Sequence, residues 1–354
     1  MENRKAYALI MVMMVASVAL IGAAMLTVPR VTLTLQTTTS MQDSGLLDLI
    51  KPTFDEKYGV NLRWVAVGTG QALTNAGRGD GDVVIVHSKA SELEFINHTS
   101  TKYSYSGQGI FRVSFAYNYY VIVGPTNDPA GISTNSTIAN NGTRVFKAIY
   151  DYCEANPSQY FASRGDKSGT NTKEEGIWKL LGVNGTVQTK SWYKSLGQGM
   201  GPTLTYSNQV GAYTLTDYGT WLKMKSTLTY LKVASGKTNS DLKNTYSIIA
   251  VDPAKHPNVN FDLAKKLIYF MVHEGQNIIG NYTIDGEAVF TKYLNPNPTV
   301  DCFCHSSQCD VCSGSYHLCP TNDQSSVSLA PVIDNSWNSM IQLKKSYATL
   351  PQGA

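Results

Sequence analysis

The chain has 354 residues, 42% of them hydrophobic, enough to bury a sizeable core in one large domain or two. Its 29 Lys and Arg against 26 Asp and Glu leave a net charge of +3, with the basic residues scattered. No run or stripe of positive charge is present, which excludes a phosphate-backbone grip on nucleic acid.

The first 30 residues stand apart. Arg4 and Lys5 precede residues 6–28, a run of 23 residues without a charge. As a helix this run can span roughly 30 Å of hydrocarbon. It reads either as a cleaved secretory signal, with Gly22-Ala23-Ala24 a poor cleavage candidate, or as an uncleaved anchor; its length favours the anchor. The positive residues before it place everything after Arg30 outside the membrane. Asn-x-Ser/Thr triplets at Asn97, Asn135, Asn141, Asn184 and Asn281 agree with an outside location, each of them a weak signal.

Residues 31–36 alternate apolar and polar, the period of a half-buried strand. They run into Thr37-Thr38-Thr39-Ser40. Ser44 then caps a helix with Leu46, Leu47, Leu49, Ile50 and Phe54 on its inner face, which Pro52 is expected to kink or end. Residues 60–67 read as a second strand, Gly68-Thr69-Gly70 opens a short helix, and 82–87 is a strand buried on both faces. A long strand covers about 112–123. Helices are expected at 143–155, 172–181 and 261–273, with another strand at 246–251. Strands alternating with helices indicate an α/β fold. The globular pattern fades near Tyr293, and Asn295-Pro296-Asn297-Pro298 precedes a Cys-rich tail.

The densest candidate site is Ser163-Arg164-Gly165-Asp166-Lys167-Ser168-Gly169-Thr170, just before a helix. A helix start offers unpaired N–H groups and the positive end of its dipole. Hydroxyls add directional donors, and a guanidinium fork suits two oxygens at once. Thr37–Ser40 and Gly68-Thr69-Gly70 are two further hydroxyl- or Gly-rich turns ahead of helices. Each alone reads better as an ordinary capped strand-to-helix turn; the three turns together suggest convergence on one small anion. An enzymatic reading lacks machinery. Asp80, Asp82 and His87 have the residue types of an acid/base or metal cluster, but residues 82 and 87 face opposite sides of a strand. Asp80 reads as a turn residue and His87 as a partly buried histidine, and no nucleophile elbow, His-Glu-x-x-His or P-loop occurs.

The tail holds Cys302, Cys304, Cys309, Cys312 and Cys319 with His305 and His317. This spacing suits zinc, with Cys302, Cys304, Cys309 and Cys312 as candidate ligands. Disulfides are the favoured rival outside the cell, because Cys153 raises the count to an even six and one pairing would tie the tail to the body.

These motifs, in this order, resemble the tungstate-binding proteins of ABC-type importers. The likeness rests on Thr37-Thr38-Thr39-Ser40 with Ser44-Gly45-Leu46-Leu47, on Gly68-Thr69-Gly70-Gln71-Ala72-Leu73, and on Gly79-Asp80-Gly81-Asp82-Val83-Val84-Ile85-Val86-His87. It continues through Val123-Gly124-Pro125, Asp128-Pro129-Ala130, Ser163–Thr170, Gly197-Gln198-Gly199-Met200-Gly201, Ala212-Tyr213-Thr214-Leu215-Thr216-Asp217 and Lys255-His256-Pro257. It covers roughly 31–291. The resemblance implies a two-lobed type II periplasmic-binding fold, with lobe 1 at about 31–116 and 214–291, lobe 2 at about 117–213, and 292–354 as a Cys-rich extension. It implies an extracytoplasmic protein, not an enzyme, that captures tungstate or molybdate in the cleft and delivers it to an importer permease, needing no cofactor.

By motif position, Thr38, Thr39, Ser40 and Thr69 would come from one lobe, and Ser163, Arg164, Ser168, Gly169 and Thr170 from the other, with Asp166 orienting Arg164. Phosphate is the alternative ligand, since Asp166 could accept its proton. A surface metal-binding or adhesive protein using the tail is the alternative of another class. Gly81 and Ser88 stand where the family pattern has Ala, both harmless changes, and 92–109 is atypical; Tyr218 stands where Arg is common and removes a charge near the cleft edge, so affinity or the hinge can differ there.

Overall fold

A computed structural model of the chain describes residues 30–292, and the backbone alone of two short strands, Thr299–Asp301 and Val327–Ser328. The expected membrane segment at 6–28 and the Cys-rich tail, including Cys302, Cys304, Cys309 and Cys312, lie outside the described residues. Among those residues no helix is long and apolar enough to cross a membrane.

The chain opens with strand β1 (Val31–Thr38), whose exposure falls from its first residue to its buried end. A short helix α1 (Thr39–Asp43) follows, with Thr38 as N-cap, its hydroxyl accepting from Met41 N at 3.2 Å. Helix α2 (Leu46–Tyr58) starts after Gly45 and stops at Gly59, both in the left-handed region that suits glycine. Pro52 does not end this helix. The carbonyl its missing N–H leaves unpaired is that of Asp48, which is exposed to water, so the cost is small. Leu49, expected on the inner face, is 43% exposed, while Leu46, Leu47, Ile50 and Phe54 are buried. Three of those four lie at i, i+4 and i+8, so the buried stripe passes Leu49 by.

β2 (Val60–Val67), α3 (Thr69–Ala76), β3 (Val83–Val86) and α4 (Lys89–Phe95) complete the first run of alternating elements. β1 pairs in parallel with both β2 and β3. The long strand β4 (Gly109–Pro125) then changes partner midway. Up to Tyr119 it lies antiparallel to β9 (Lys243–Val251), and from Tyr120 onward it pairs with β7 (Tyr213–Asp217) and β8 (Leu231–Ser235). β5 (Phe161–Ser163) and β6 (Tyr193–Ser195) extend the far side, giving the order β2-β1-β3-β9-β4-β7-β5-β6. The sheet is mixed, and one strand belongs to both of its halves.

Two large groups of hydrophobic side chains follow that division in part, since Val121, Val123 and Leu231 of the second half pack in the first group. One gathers Leu33, Phe54, Phe115 and Tyr246 with the helix Phe261–Val272. The other gathers Phe146 and Ile149 of α6 (Gly142–Ala155), Trp178 of α7 (Gly169–Leu180), Phe161 and Tyr213. The ring of Trp178 meets Phe146 at 4.6 Å and Phe161 at 5.3 Å, both edge-on. The segment 231–242, which lies within 214–291, contacts both groups: Leu231 is buried in the first, whereas Ala234 and Leu242 enter the second core and Ser235 Oγ donates to Ala139 O at 2.5 Å. Cys153 also faces this core, 0% exposed and in no disulfide among the described residues, and burial pushes the ionisation of its thiol up to about 12. The cysteines expected to pair with it lie outside the described residues.

Gly124 offers a test of packing in the second half. A Cβ there would come within 2.2 Å of the Tyr213 ring, whose hydroxyl is held by Asp128 at 3.0 Å and Ala130 N at 3.0 Å. Gly124→Ala should cost about 1–3 kcal/mol through overpacking, read as a lowered midpoint in urea unfolding at unchanged slope.

Candidate functional site

The loop after β5 and the start of α7 form the centre of the site. Ser168 is the N-cap of α7, its hydroxyl accepting from Asn171 N at 3.2 Å. The N–H groups of Gly169 and Thr170 therefore stand outside the helix ladder, at the positive end of the dipole. Gly165 turns the chain at φ 62, where a Cβ would lie 2.0 Å from Ser195 Oγ. This turn sends the Arg164 side chain across the sheet. Its Nη1 donates to Ser40 Oγ at 3.2 Å, and its Nη2 to Thr39 Oγ1 at 3.0 Å and Asp166 Oδ2 at 2.5 Å. Arg164 is 2% exposed.

Other contacts bring the remaining turns together. The Gly68 Cα faces Asp166 O and the Ser168 backbone, since a Cβ there would lie 3.2 and 3.9 Å from them. That sets Thr69, the first residue of α3, beside the loop. A Cβ on Gly169 would touch the His87 ring at 2.9 Å, so the end of β3 meets the start of α7. Thr69 Oγ1, Thr170 Oγ1, Arg164 Nε and His87 Nε2 are buried and make no hydrogen bond of good geometry to any protein atom. Four orphaned polar atoms around one helix start are costly unless something supplies their partner. Three of the four are hydroxyls or an N–H able to donate, which suits an oxyanion.

Of the residues singled out in the sequence, Thr39, Ser40, Thr69, Arg164, Asp166, Ser168, Gly169 and Thr170 are assembled here. Asp166 holds Arg164, and its other oxygen accepts from Ser168 N at 3.2 Å. Thr38 lies at the edge with its oxygen committed to the cap of α1. Ser163 faces the other way: its hydroxyl donates to the buried Glu174 at 2.6 Å and so supports the loop from behind. Tyr218 also turns aside, its hydroxyl donating to Glu287. Asp82 is structural, accepting from Thr34 N at 2.7 Å and Asn260 N at 2.7 Å.

Two features escaped the sequence reading. His87 sits at the carboxyl end of a parallel strand, where ligands of open α/β sheets gather, so position was the available signal. Behind it is a carboxylate cage. Asp217, 0% exposed, receives Asn118 Nδ2 at 3.0 Å, Gly219 N at 2.8 Å, Thr220 N at 3.3 Å, Asn244 Nδ2 at 2.7 Å and Tyr246 OH at 2.6 Å. Asn118, Asn244 and Asp217 lie on β4, β9 and β7, where the strands pass between the two halves. No pattern in the sequence links them.

This arrangement, an anion cradle of helix starts and hydroxyls closed between two halves of one mixed sheet, is that of a solute-binding protein. The sequence matches the PBP superfamily domain over residues 28–274, and the chain belongs to that superfamily. It is 38% identical over 249 residues to the tungstate-binding protein TupA of Peptoclostridium acidaminophilum, covering 70% of this chain and 80% of that one. A crystal structure of the tungstate ABC transporter from Geobacter sulfurreducens is 43% identical, with a TM-score of 0.59, over 71% of this chain and 98% of that one. TupA from Desulfovibrio alaskensis G20 is 36% identical, with a TM-score of 0.60, over 75% and 100%.

Glu174 gives the site a pH signature. Burial raises its carboxyl to about 7, although Ser163, Tyr193 and Trp178 all donate to it. The folded protein then holds a proton that the unfolded chain releases near pH 4.5. This contribution to stability is complete below about pH 4.5 and is lost as pH rises through about 7. Thermal unfolding at pH 5.5 and 8.0 should show a larger loss at pH 8.0 for the wild type than for Glu174→Gln. Equal losses would mean that Glu174 titrates normally.

Proposed function

We propose that this chain is the extracytoplasmic binding protein of an ABC importer and captures tungstate in the cleft between two lobes. The observation that carries the oxyanion reading is the set of orphaned polar atoms of Thr69, Thr170, Arg164 and His87 around the start of α7. The choice of tungstate draws on the named specificity of relatives at 36–43% identity. Thr38, Thr39, Ser40 and Thr69 from the first lobe, and Arg164, Ser168, Gly169 and Thr170 from the second, make the site; Asp166 orients Arg164. The first lobe comprises 31–116 and 214–291, and the second comprises 117–213, whose core Ala234 and Leu242 also enter. The protein acts by binding and release, not by catalysis. Residues 6–28 hold it at the membrane surface, beside the permease that receives the anion.

Both oxygens of Asp166 are already occupied, one by Arg164 and one by Ser168 N. Each oxygen keeps a second lone pair, so phosphate, whose proton Asp166 can accept, is the second ligand reading. Calorimetry on tungstate, molybdate, sulfate and phosphate tests the reading: tungstate should bind in the nanomolar range, about −12 kcal/mol. A preference for phosphate, or no response to any of the four, would refute it. Arg164→Ala should weaken tungstate binding by about 2 kcal/mol or more, roughly 30-fold, through loss of charge-assisted contacts. An unchanged Kd would place Arg164 outside the site.

A further inference from the structure

The buried imidazole of His87 has one nitrogen tied into the cage and the other, Nε2, buried without a partner on the ring edge that meets Gly169. Asn244 orients the first. Its amide nitrogen donates both to Asp217 Oδ2 at 2.7 Å and to Asn118 Oδ1 at 3.0 Å, so its oxygen is the atom turned to His87. That oxygen lies 3.0 Å from Nδ1 and must accept, which puts a proton on Nδ1. The Tyr120 oxygen, 2.8 Å away, shares the same N–H. The ring is further clamped by stacking on Tyr246 at 4.7 Å. Nε2 is left against Gly169 at the start of α7, buried and without a partner. In a neutral ring with its proton on Nδ1, Nε2 presents only a lone pair.

A lone pair facing a dianion is repulsive. The same atom carrying a proton is a charged donor. Charge balance points the same way, because Asp166 already neutralises Arg164 at 2.5 Å, leaving a bound dianion to the dipoles of the helix starts. We propose that His87 is a further anion-binding residue, held by the Asp217–Asn244 relay, and that its Nε2 takes up a proton from solvent as the dianion enters and, keeping it, donates an N–H hydrogen bond to the anion. The inference rests on the oxyanion reading above.

The groups facing His87 set the direction. Asp217 of β7 stands behind Asn244, Tyr120 of β4 and Tyr246 of β9 are neutral phenols, and Glu92 of α4 is paired with Arg112. Arg164 and Asp166 act from the loop before α7, the first opposing and the second favouring protonation. Burial, opposed by the Asn244 bond, pushes the imidazole down to about 4 in the anion-free protein. Near neutrality the free site is thus unprotonated. A proton bound only with the dianion makes affinity rise as pH falls, by at most tenfold per pH unit, and level off above the raised value of the complex.

The test is calorimetry of the full chain with sodium tungstate at pH 6.5 and 8.0, in two buffers of different ionisation enthalpy. The wild type should take up a fraction of a proton per anion at pH 6.5 and less at pH 8.0, with weaker binding at pH 8.0. His87→Gln, which keeps an N–H but cannot titrate, should bind with no uptake and a flat Kd. Glu174→Gln should retain the uptake. Tungstate binding without proton uptake in the wild type overturns the inference while sparing the function. So does uptake that survives His87→Gln or is lost in Glu174→Gln. Should the glutamine variant not fold, the 15N signal of His87 in the wild type serves: a shift to the imidazolium form on adding tungstate supports the inference, and no shift overturns it. Absence of tungstate binding altogether strikes the proposed function instead.

Discussion

A guanidinium that is 2% exposed must find partners for its charge and its donors, and Arg164 finds them on both sides of the sheet. Asp166, two residues away, supplies the opposite charge. Thr39 and Ser40, more than 120 positions earlier in the chain, supply hydroxyl acceptors. Each contact serves the next. Gly165 makes the turn that aims the side chain, Ser163 braces that turn through Glu174, and Ser168 both ties down Asp166 and starts α7. The site is assembled only when the two halves of the sheet approach closely enough for Arg164 to bridge them.

The Asp217 cage, directly behind His87, has a related logic. A buried carboxylate without a cation is tolerated because five donors surround it. Those donors come from β4, β9 and the start of the helix after β7, so the carboxylate fastens the strands at the point where they pass between the halves. Through Asn244 the same carboxylate fixes which nitrogen of His87 carries a proton. A crossing point and an anion contact are thereby joined by two hydrogen bonds, and any movement of one half against the other is felt at the ring.

The sequence by itself determined the alternation of strands and helices, because periods of 2 and 3.6 in apolar residues are local properties. It also determined the three hydroxyl- or glycine-rich turns, because helix starts draw on residues only a few positions apart. Ser168 as the cap of α7 and the pairing of Arg164 with Asp166 were legible for that reason. The helix through Pro52 was not, since its lost bond falls on a carbonyl whose exposure depends on what packs nearby. The outward turn of Ser163, the entry of Ala234 and Leu242 into the second core and the burial of Cys153 were also decided by packing. So were the placing of His87 beside Gly169 and the cage around Asp217. Those contacts join residues up to 157 positions apart, and no spacing in a chain encodes a distance that only the closed sheet creates.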